Sequence, residues 1–385
     1  MKILNMIFLA LFSCLTCLNV LAAGKSDFNM GPTTNHGKKW RIAYYEGGPY
    51  IDYQQIFTET VRGLMRLGWI ETSEIPPQKG EETKSLWQWL STDARSNYLE
   101  FVKDGYYSAD WVNKTRLQTV DQLMRRLNEN KDIDLLIAMG TMAGQDFANN
   151  NHHTPTIVLS SSDPIAAGII KSVEDSGFEH VHATVDPKRH ERQVRVFHEI
   201  IGFKKLGMIF ENSVNGRAFS AIDFAEKVAK DRKFEIVRCY CLDESVDDQK
   251  LREESVIKCT NELVKKVDAI YFTQQSGVND VTIPELVKIS NQHHIPTFSQ
   301  QGSTEVKYGF FLSLSQAGFK YVGEFHAETI AKILNGVKPN KLVQLFEEPP
   351  KIAINLKTAE AIGFDPPIVL LGAADEIFNE IYSPK

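Results

Sequence analysis

The sequence predicts a two-lobed α/β protein with parallel sheets, and three observations predict it. Short apolar runs alternate with amphipathic helices along most of the chain, the pattern of strand–helix–strand units. The alternation falls into two series separated near residue 187. The two series also share a local design: Asp132–Ile137 opens a strand and His152-His153-Thr154-Pro155-Thr156 introduces the next, as Lys266–Tyr271 and His293-His294-Ile295-Pro296-Thr297 do later. The Asp-to-Pro spacing is 21 residues in one copy and 28 in the other, so the copies are unequal but parallel in plan.

The first series starts with a strand over Trp40–Tyr45 that ends in Glu46-Gly47-Gly48-Pro49. A helix over about 52–67 follows, with Ile56, Phe57, Val61, Leu64 and Met65 at helical spacing on one face. A helix at 117–127, a strand at 134–139, a short helix and a strand at 156–160 complete this lobe. The second series reads as strand 206–210, helix 218–230, strand 234–241, helix 249–267, strand 269–273, helix 284–293 and strand 297–299. A helix at 191–200 follows the first crossing between lobes, and a strand at 307–315 returns before the helix at 321–334. Two or three crossings make a hinge. The expected first lobe is 40–186 with 316–345, and the second is 187–315 with 346–385 as a crossing tail. Between Glu71 and Trp111 the alternation breaks, and Trp87, Trp89, Tyr98, Phe101, Tyr106, Tyr107 and Trp111 crowd together. This segment reads as a helical insertion whose aromatics pack onto the first lobe, with one or two reaching the cleft mouth.

The first residues carry Lys2, an apolar run from Ile3 to Leu21, and Val20-Leu21-Ala22, the layout of a secretory signal peptide cut after Ala22 or Ala23. An uncleaved anchor and lipid attachment at Cys14 are the weighed alternatives; Phe12 fits a lipobox poorly. The remaining chain of about 360 residues suits two lobes of ordinary size. The formal charge of −6 becomes −7 without Lys2, and no basic block stands out, which argues against nucleic acid as a partner. Cys239 and Cys241 share one face of a strand, and Cys259 lies on the apolar stripe of the next helix. A bridge from Cys259 to either of them, or three buried thiols, are equally balanced readings. Neither His pair suits one metal ion, because adjacent residues of an extended segment diverge; helix C-terminal placement is the simpler account. No metal and no cofactor are expected.

Ligand sites in open α/β sheets form where strands end. Here those ends are small and polar: Gly140-Thr141-Met142-Ala143, Ser161-Ser162-Asp163, Asn212-Ser213 with Asn215, Gln274-Gln275, and Gln300. Gly47, Gly48 and Tyr50 after the first strand join them. Each has a structural alternative: Asp163 before Pro164 is a good N-cap, and Asn212 and Asn215 suit helix caps. The case for a site is collective, because five junctions from two lobes converge on one crevice. Phosphate-loop, dinucleotide, nucleophile-elbow and zinc-protease motifs are missing, and Asp52, Asp163 and His190 show no acid–base spacing, so no enzyme is expected.

The run Ile354-Asn355-Leu356-Lys357-Thr358-Ala359-Glu360-Ala361-Ile362-Gly363, with Pro366-Pro367 and Ala374-Asp375-Glu376, resembles the closing signature of ABC-transporter periplasmic substrate-binding proteins whose characterised relatives bind tryptophan- or phenylalanine-type amino acids. Ala138-Met139-Gly140-Thr141, Ser162–Gly168, Ala269-Ile270-Tyr271 and Ala331–Gly336 before Lys338-Pro339 are similar too. The resemblance implies a type I periplasmic-binding fold of two Rossmann-like lobes joined by a multi-strand hinge. It further implies a ligand in the interlobe cleft, delivery to a membrane permease, and a monomer in the periplasm. On matching positions Thr141 and Ala143 border a ligand carboxylate, Ser162 and Asp163 lie in the cleft, and Asn212 and Ser213 line the second wall. Gln274-Gln275-Ser276 departs from the family, where an acid often faces an ammonium group; a neutral amide is the weaker counter-charge. A sensory module that reports ligand to a membrane receptor is the alternative function.

Overall fold

The computed structural model describes residues 28–243, 246–315, 319–347 and 351–384. The expected leader and Cys14 lie outside the described residues. The first sheet contains β1 (Trp40–Glu46), β2 (Leu99–Ser108), β3 (Leu135–Met139), β4 (Thr156–Leu159) and β5 (Val181–Ala183) in the order β2-β1-β3-β4-β5. All four pairings are parallel. β3 is buried along its whole length, as a strand covered on both faces must be, which is why its sequence is a continuous apolar run.

The second sheet holds β6 (Lys205–Glu211), β7 (Glu235–Cys241), β8 (Ala269–Phe272), β9 (Thr297–Ser299), β10 (Leu312–Ser315), β11 (Lys351–Asn355) and β12 (Ala374–Phe378). Their order is β12-β11-β10-β9-β8-β6-β7, parallel except where β10 meets β11. The strand expected over 307–315 is shorter, because Ser303–Lys307 forms a helix and only Leu312–Ser315 pairs with the sheet. The chain crosses between lobes after β5, after β10 and before β11. Two of the crossing segments touch: Val185 N–H donates to Gln344 O at 3.0 Å and Phe346 N–H to Val185 O at 3.0 Å.

The insertion differs from the helical expectation. It contains the helix Lys84–Thr92 and then β2, which adds an edge to the first sheet beside β1. Leu99, Phe101 and Tyr107 are buried along β2, a half-buried strand pattern that the density of aromatics had masked.

Helix Lys320–Leu334 follows the second lobe's β10 yet packs on helix Ile51–Arg66 of the first lobe. Glycines let the two backbones approach: a Cβ on Gly323 would lie 2.5 Å from the Glu59 carbonyl carbon, and one on Gly63 would lie 2.6 Å from the Ala327 methyl. Cys239 and Cys259 form a disulfide, which decides between the balanced readings, and Cys241 stays a buried thiol donating to Gln275 Oε1 at 2.7 Å. His293 ends the helix Ile283–Gln292, its ring 2.9 Å from Ile289 O. His152 packs edge-on against His180 instead, at 4.8 Å between centroids. No helix among the described residues is long and apolar enough to cross a membrane.

Candidate functional site

A cleft of about 670 Å³ lies between the lobes and takes residues from both. On the first-lobe side, β1 runs out into Gly47-Gly48-Pro49, and Trp111 lies flat on that turn. A Cβ on Gly48 would come 2.6 Å from the indole, and one on Gly47 would come 3.0 Å from it and 3.3 Å from Met142 Sδ. Trp111 is anchored by its own N–H to Gly47 O at 2.8 Å and by its indole N–H to Pro49 O at 2.9 Å. Gly47 and Gly48 therefore shape the cleft by admitting Trp111, which lines it. Gly140 performs a related task. It sits at φ 90°, where a side chain is strained, and a Cβ there would fall 1.9 Å from the Tyr53 hydroxyl.

Thr141 begins the helix Thr141–Phe147 and lines the cleft, its hydroxyl 3.1 Å from Ser161 Oγ. Met142 and Ala143 are buried behind it, outside the lining. Ser162 Oγ donates across the interlobe gap to Gln274 Oε1 at 2.6 Å, and Gln145 Nε2 donates to Asn215 Oδ1 at 2.9 Å. Asp52 and Gln301, both in the lining, also interact across the gap. Side chains from both lobes thus tie the walls together in a closed arrangement.

On the second wall Gln274, Gln275 and Ser276 line the cleft. The Gln275 amide is spent within its own lobe, donating to Ile209 O at 2.9 Å while accepting from Cys241. Gln300, 2 % exposed, lies behind the lining and supports it: its Oε1 accepts the Gln274 N–H and its Nε2 donates to Phe219 O at 2.8 Å. Its neighbour Gln301 is the residue that reaches the cleft. Asn212 is exposed and Ser213 caps the helix Val214–Ser220 by accepting from Gly216 N–H at 3.0 Å; neither is in the lining.

Asp163 is also outside the lining. Its Oδ1 accepts the N–H groups of Ile165 and Ala166 at 3.1 and 2.9 Å, and burial raises its pKa. His190 bonds to Ser162 O and Gln193 Oε1, so Asp52, Asp163 and His190 do not meet through hydrogen bonds among the described residues. Asp163→Ala is expected to cost about 1 kcal/mol through the lost cap. Denaturant unfolding beside a ligand titration checks it; a tenfold loss of affinity with unchanged stability would instead make Asp163 a ligand contact.

Residues away from the nominated strand ends complete the cleft. Trp111 comes from the insertion, Phe219 from the helix that Ser213 caps, Arg252 and Glu253 from helix Gln249–Leu263, and Glu305 from the short helix after β9. Arg252 is 4 % exposed, and its Nε and Nη1 have no hydrogen-bond partner, nor do the buried Tyr50 hydroxyl and Ser276 Oγ. Buried polar groups without partners facing a cavity are what an unfilled binding site presents.

Two parallel-sheet lobes, a multi-segment hinge and a polar cleft between them define a type I periplasmic-binding fold, the architecture of a solute clamp. The chain belongs to the family described as ABC transporter substrate binding protein, which it matches over residues 102–377. It is 24 % identical over 281 residues to the tyrosine-binding protein of Clostridioides difficile (strain R20291), covering 70 % of this chain and 76 % of that one. Among solved structures it is similar to a conserved domain protein of Vibrio cholerae, with TM-score 0.66 at 19 % identity, covering 88 % of this chain and all of that one. It is also similar to an ABC domain from Streptococcus pneumonia in complex with L-Trp, with TM-score 0.64 at 18 % identity and the same coverage of both chains.

Proposed function

We propose that the chain is the exported binding component of an ABC importer, working as a monomer that captures a small polar ligand in the interlobe cleft and delivers it to a membrane permease. The observation that carries this reading is the cleft itself: about 670 Å³, closed by side-chain hydrogen bonds from opposite lobes, and lined by unpartnered polar atoms. Closure about the segments near Val185 and Gln344 lets two rigid lobes grip a ligand, and the bonds from Ser162 to Gln274 and from Gln145 to Asn215 form only when the walls meet. Periplasmic residence after cleavage near Ala22 accords with the family, whose members are exported. Amino acids and related carboxylates are the first compounds to try, because one similar protein is a tyrosine-binding protein and another is seen in complex with L-Trp.

The test is a thermal-shift screen of the leaderless protein against amino acids, amines, small carboxylates, nucleosides and sugars. A true ligand at a hundred times its Kd adds about 2.7 kcal/mol of stability and raises melting by several degrees. X-ray scattering with that ligand is expected to show a smaller radius of gyration than without it. Identical curves for the free and saturated protein would remove hinge closure from the account.

A further inference from the structure

The cleft is far more acidic than a neutral solute requires. Among the described residues seven carboxylates line it against one guanidinium, that of Arg252. Twice, carboxylates from opposite lobes line the same cleft within electrostatic reach of one another. Asp52, in the first turn of helix Ile51–Arg66, lies within electrostatic reach of Glu305 from the second lobe, and Glu81 of the insertion stands in the same relation to Asp280. Glu305 is 5 % exposed; Ser299 Oγ donates to it at 2.5 Å, and its charged neighbours are Asp52 and Asp280. Asp52 interacts with Gln301 and feels Arg189, which is outside the lining, together with Glu81.

Two facing carboxylates in a closed, poorly hydrated cleft repel one another, and burial penalises the charge of each. Accordingly Asp52 is pushed up to about 7 and Glu305 to about 8, burial being the main cause in both. The Tyr50 hydroxyl, buried and without a hydrogen-bond partner, is within reach of both charges. Around this point stand aromatic rings: Tyr50 and Tyr53 in edge-on contact at 5.0 Å, Trp111 beside Tyr53 at 6.4 Å, and Tyr308 one turn on from Glu305. Carboxylates backed by aromatic faces are the surroundings that stabilise an organic cation.

We propose that the ligand of this cleft carries a net positive charge, as a protonated amine on an aromatic or apolar body, and that Asp52 and Glu305 grip that charge from the two lobes. The inference rests on the solute-binding reading and narrows its ligand. It assigns the ammonium contact to two helix residues in place of the strand end where Gln275 stands. It also gives closure a driving force, since the amine converts a repulsion between the walls into two attractions.

The experiment is isothermal titration of the leaderless protein with tryptamine and tyramine, with tryptophan and tyrosine, and with 3-phenylpropionate. The amines are expected to bind about tenfold or more tighter than the matching amino acids, and 3-phenylpropionate not at all. Asp52→Asn and Glu305→Gln should each weaken amine binding about tenfold while leaving the ligand-free Tm unchanged or higher, because each removes a carboxyl whose charged form the site disfavours without a ligand. If Glu305→Gln fails to fold, Asp52→Asn, at a helix start and partly exposed, still decides the matter. Both carboxyls ionise as pH rises through about 7 and about 8, so amine affinity should climb from pH 6 to pH 8.5. The groups facing them, Glu81, Asp280, Tyr50 and Arg189, oppose that climb only through Arg189. Binding of the amino acids or the carboxylate without the amines would overturn the inference and leave the solute-binding reading standing. Amine binding unaffected by both substitutions would also overturn it. Silence from these probes and from every class of the wider screen would overturn both readings.

Discussion

Trp87→Ala is expected to destabilise the first lobe by about 4 kcal/mol, the cost of emptying a fully buried indole site. Trp87 is 1 % exposed and lies among Tyr44, Phe57, Phe101 and Tyr106, with ring centroids 5.5 to 6.5 Å away. Its indole N–H donates to Val102 O at 3.1 Å, joining the insertion's helix to β2. The damage extends toward the cleft. Tyr44 and Tyr106, stacked at 5.5 Å, donate to the two oxygens of Glu46 at 2.6 and 2.7 Å, and Glu46 is the residue before the Gly47-Gly48 turn under Trp111. Urea unfolding followed by circular dichroism measures the loss. A change below about 1 kcal/mol would mean that the insertion packs independently of the lobe.

Breaking the Cys239–Cys259 bridge is expected to cost about 3 kcal/mol, because it closes a 20-residue separation in the unfolded chain. The bridge fastens the edge strand β7 to helix Gln249–Leu263, and that helix carries Arg252 to the cleft. Cys239→Ser with Cys259→Ser should therefore lower the urea midpoint and also weaken ligand binding. Alkylation under denaturing, non-reducing conditions should label one thiol in the described part of the chain, that of Cys241. Labelling of all three would show the bridge absent.

Much of the fold was legible because burial on both faces of a parallel sheet leaves continuous apolar runs. Leu135–Met139 and Ala269–Phe272 need little beyond that rule. The family resemblance was legible in the run from Ile354 to Gly363, whose match now covers residues 102–377. What escaped was structure set by tertiary contact. β2 becomes a strand because β1 offers an edge, and its aromatics look the same from either side of the chain. The short helix Ser303–Lys307 was not foreseen and runs up to the start of the strand expected over 307–315; Gly302, at φ 143°, marks where it begins.

The cleft divides along the same line. Thr141, Gln274, Gln275 and Tyr50 stand just beyond strand ends and were nominated from that position, Thr141 from the family resemblance as well, and all four are in the lining. Asp52 and Glu305 lie within helices at opposite ends of the sequence, and only the packing of one lobe against the other makes them neighbours. Asp163, the one acid singled out from sequence, is instead occupied by backbone N–H groups.

The glycine seam between helices Ile51–Arg66 and Lys320–Leu334 has a bearing on biogenesis. The first lobe's apolar face, including Phe57 and Leu64, is covered in part by Ile330 and Ala331, which lie near the far end of the chain. A polypeptide threaded across a membrane from its N-terminus therefore exposes a sticky, unfinished lobe until some 330 residues have emerged. Truncation after β10 would leave that face bare, and neither lobe is a self-contained stretch of sequence to be excised and expressed alone.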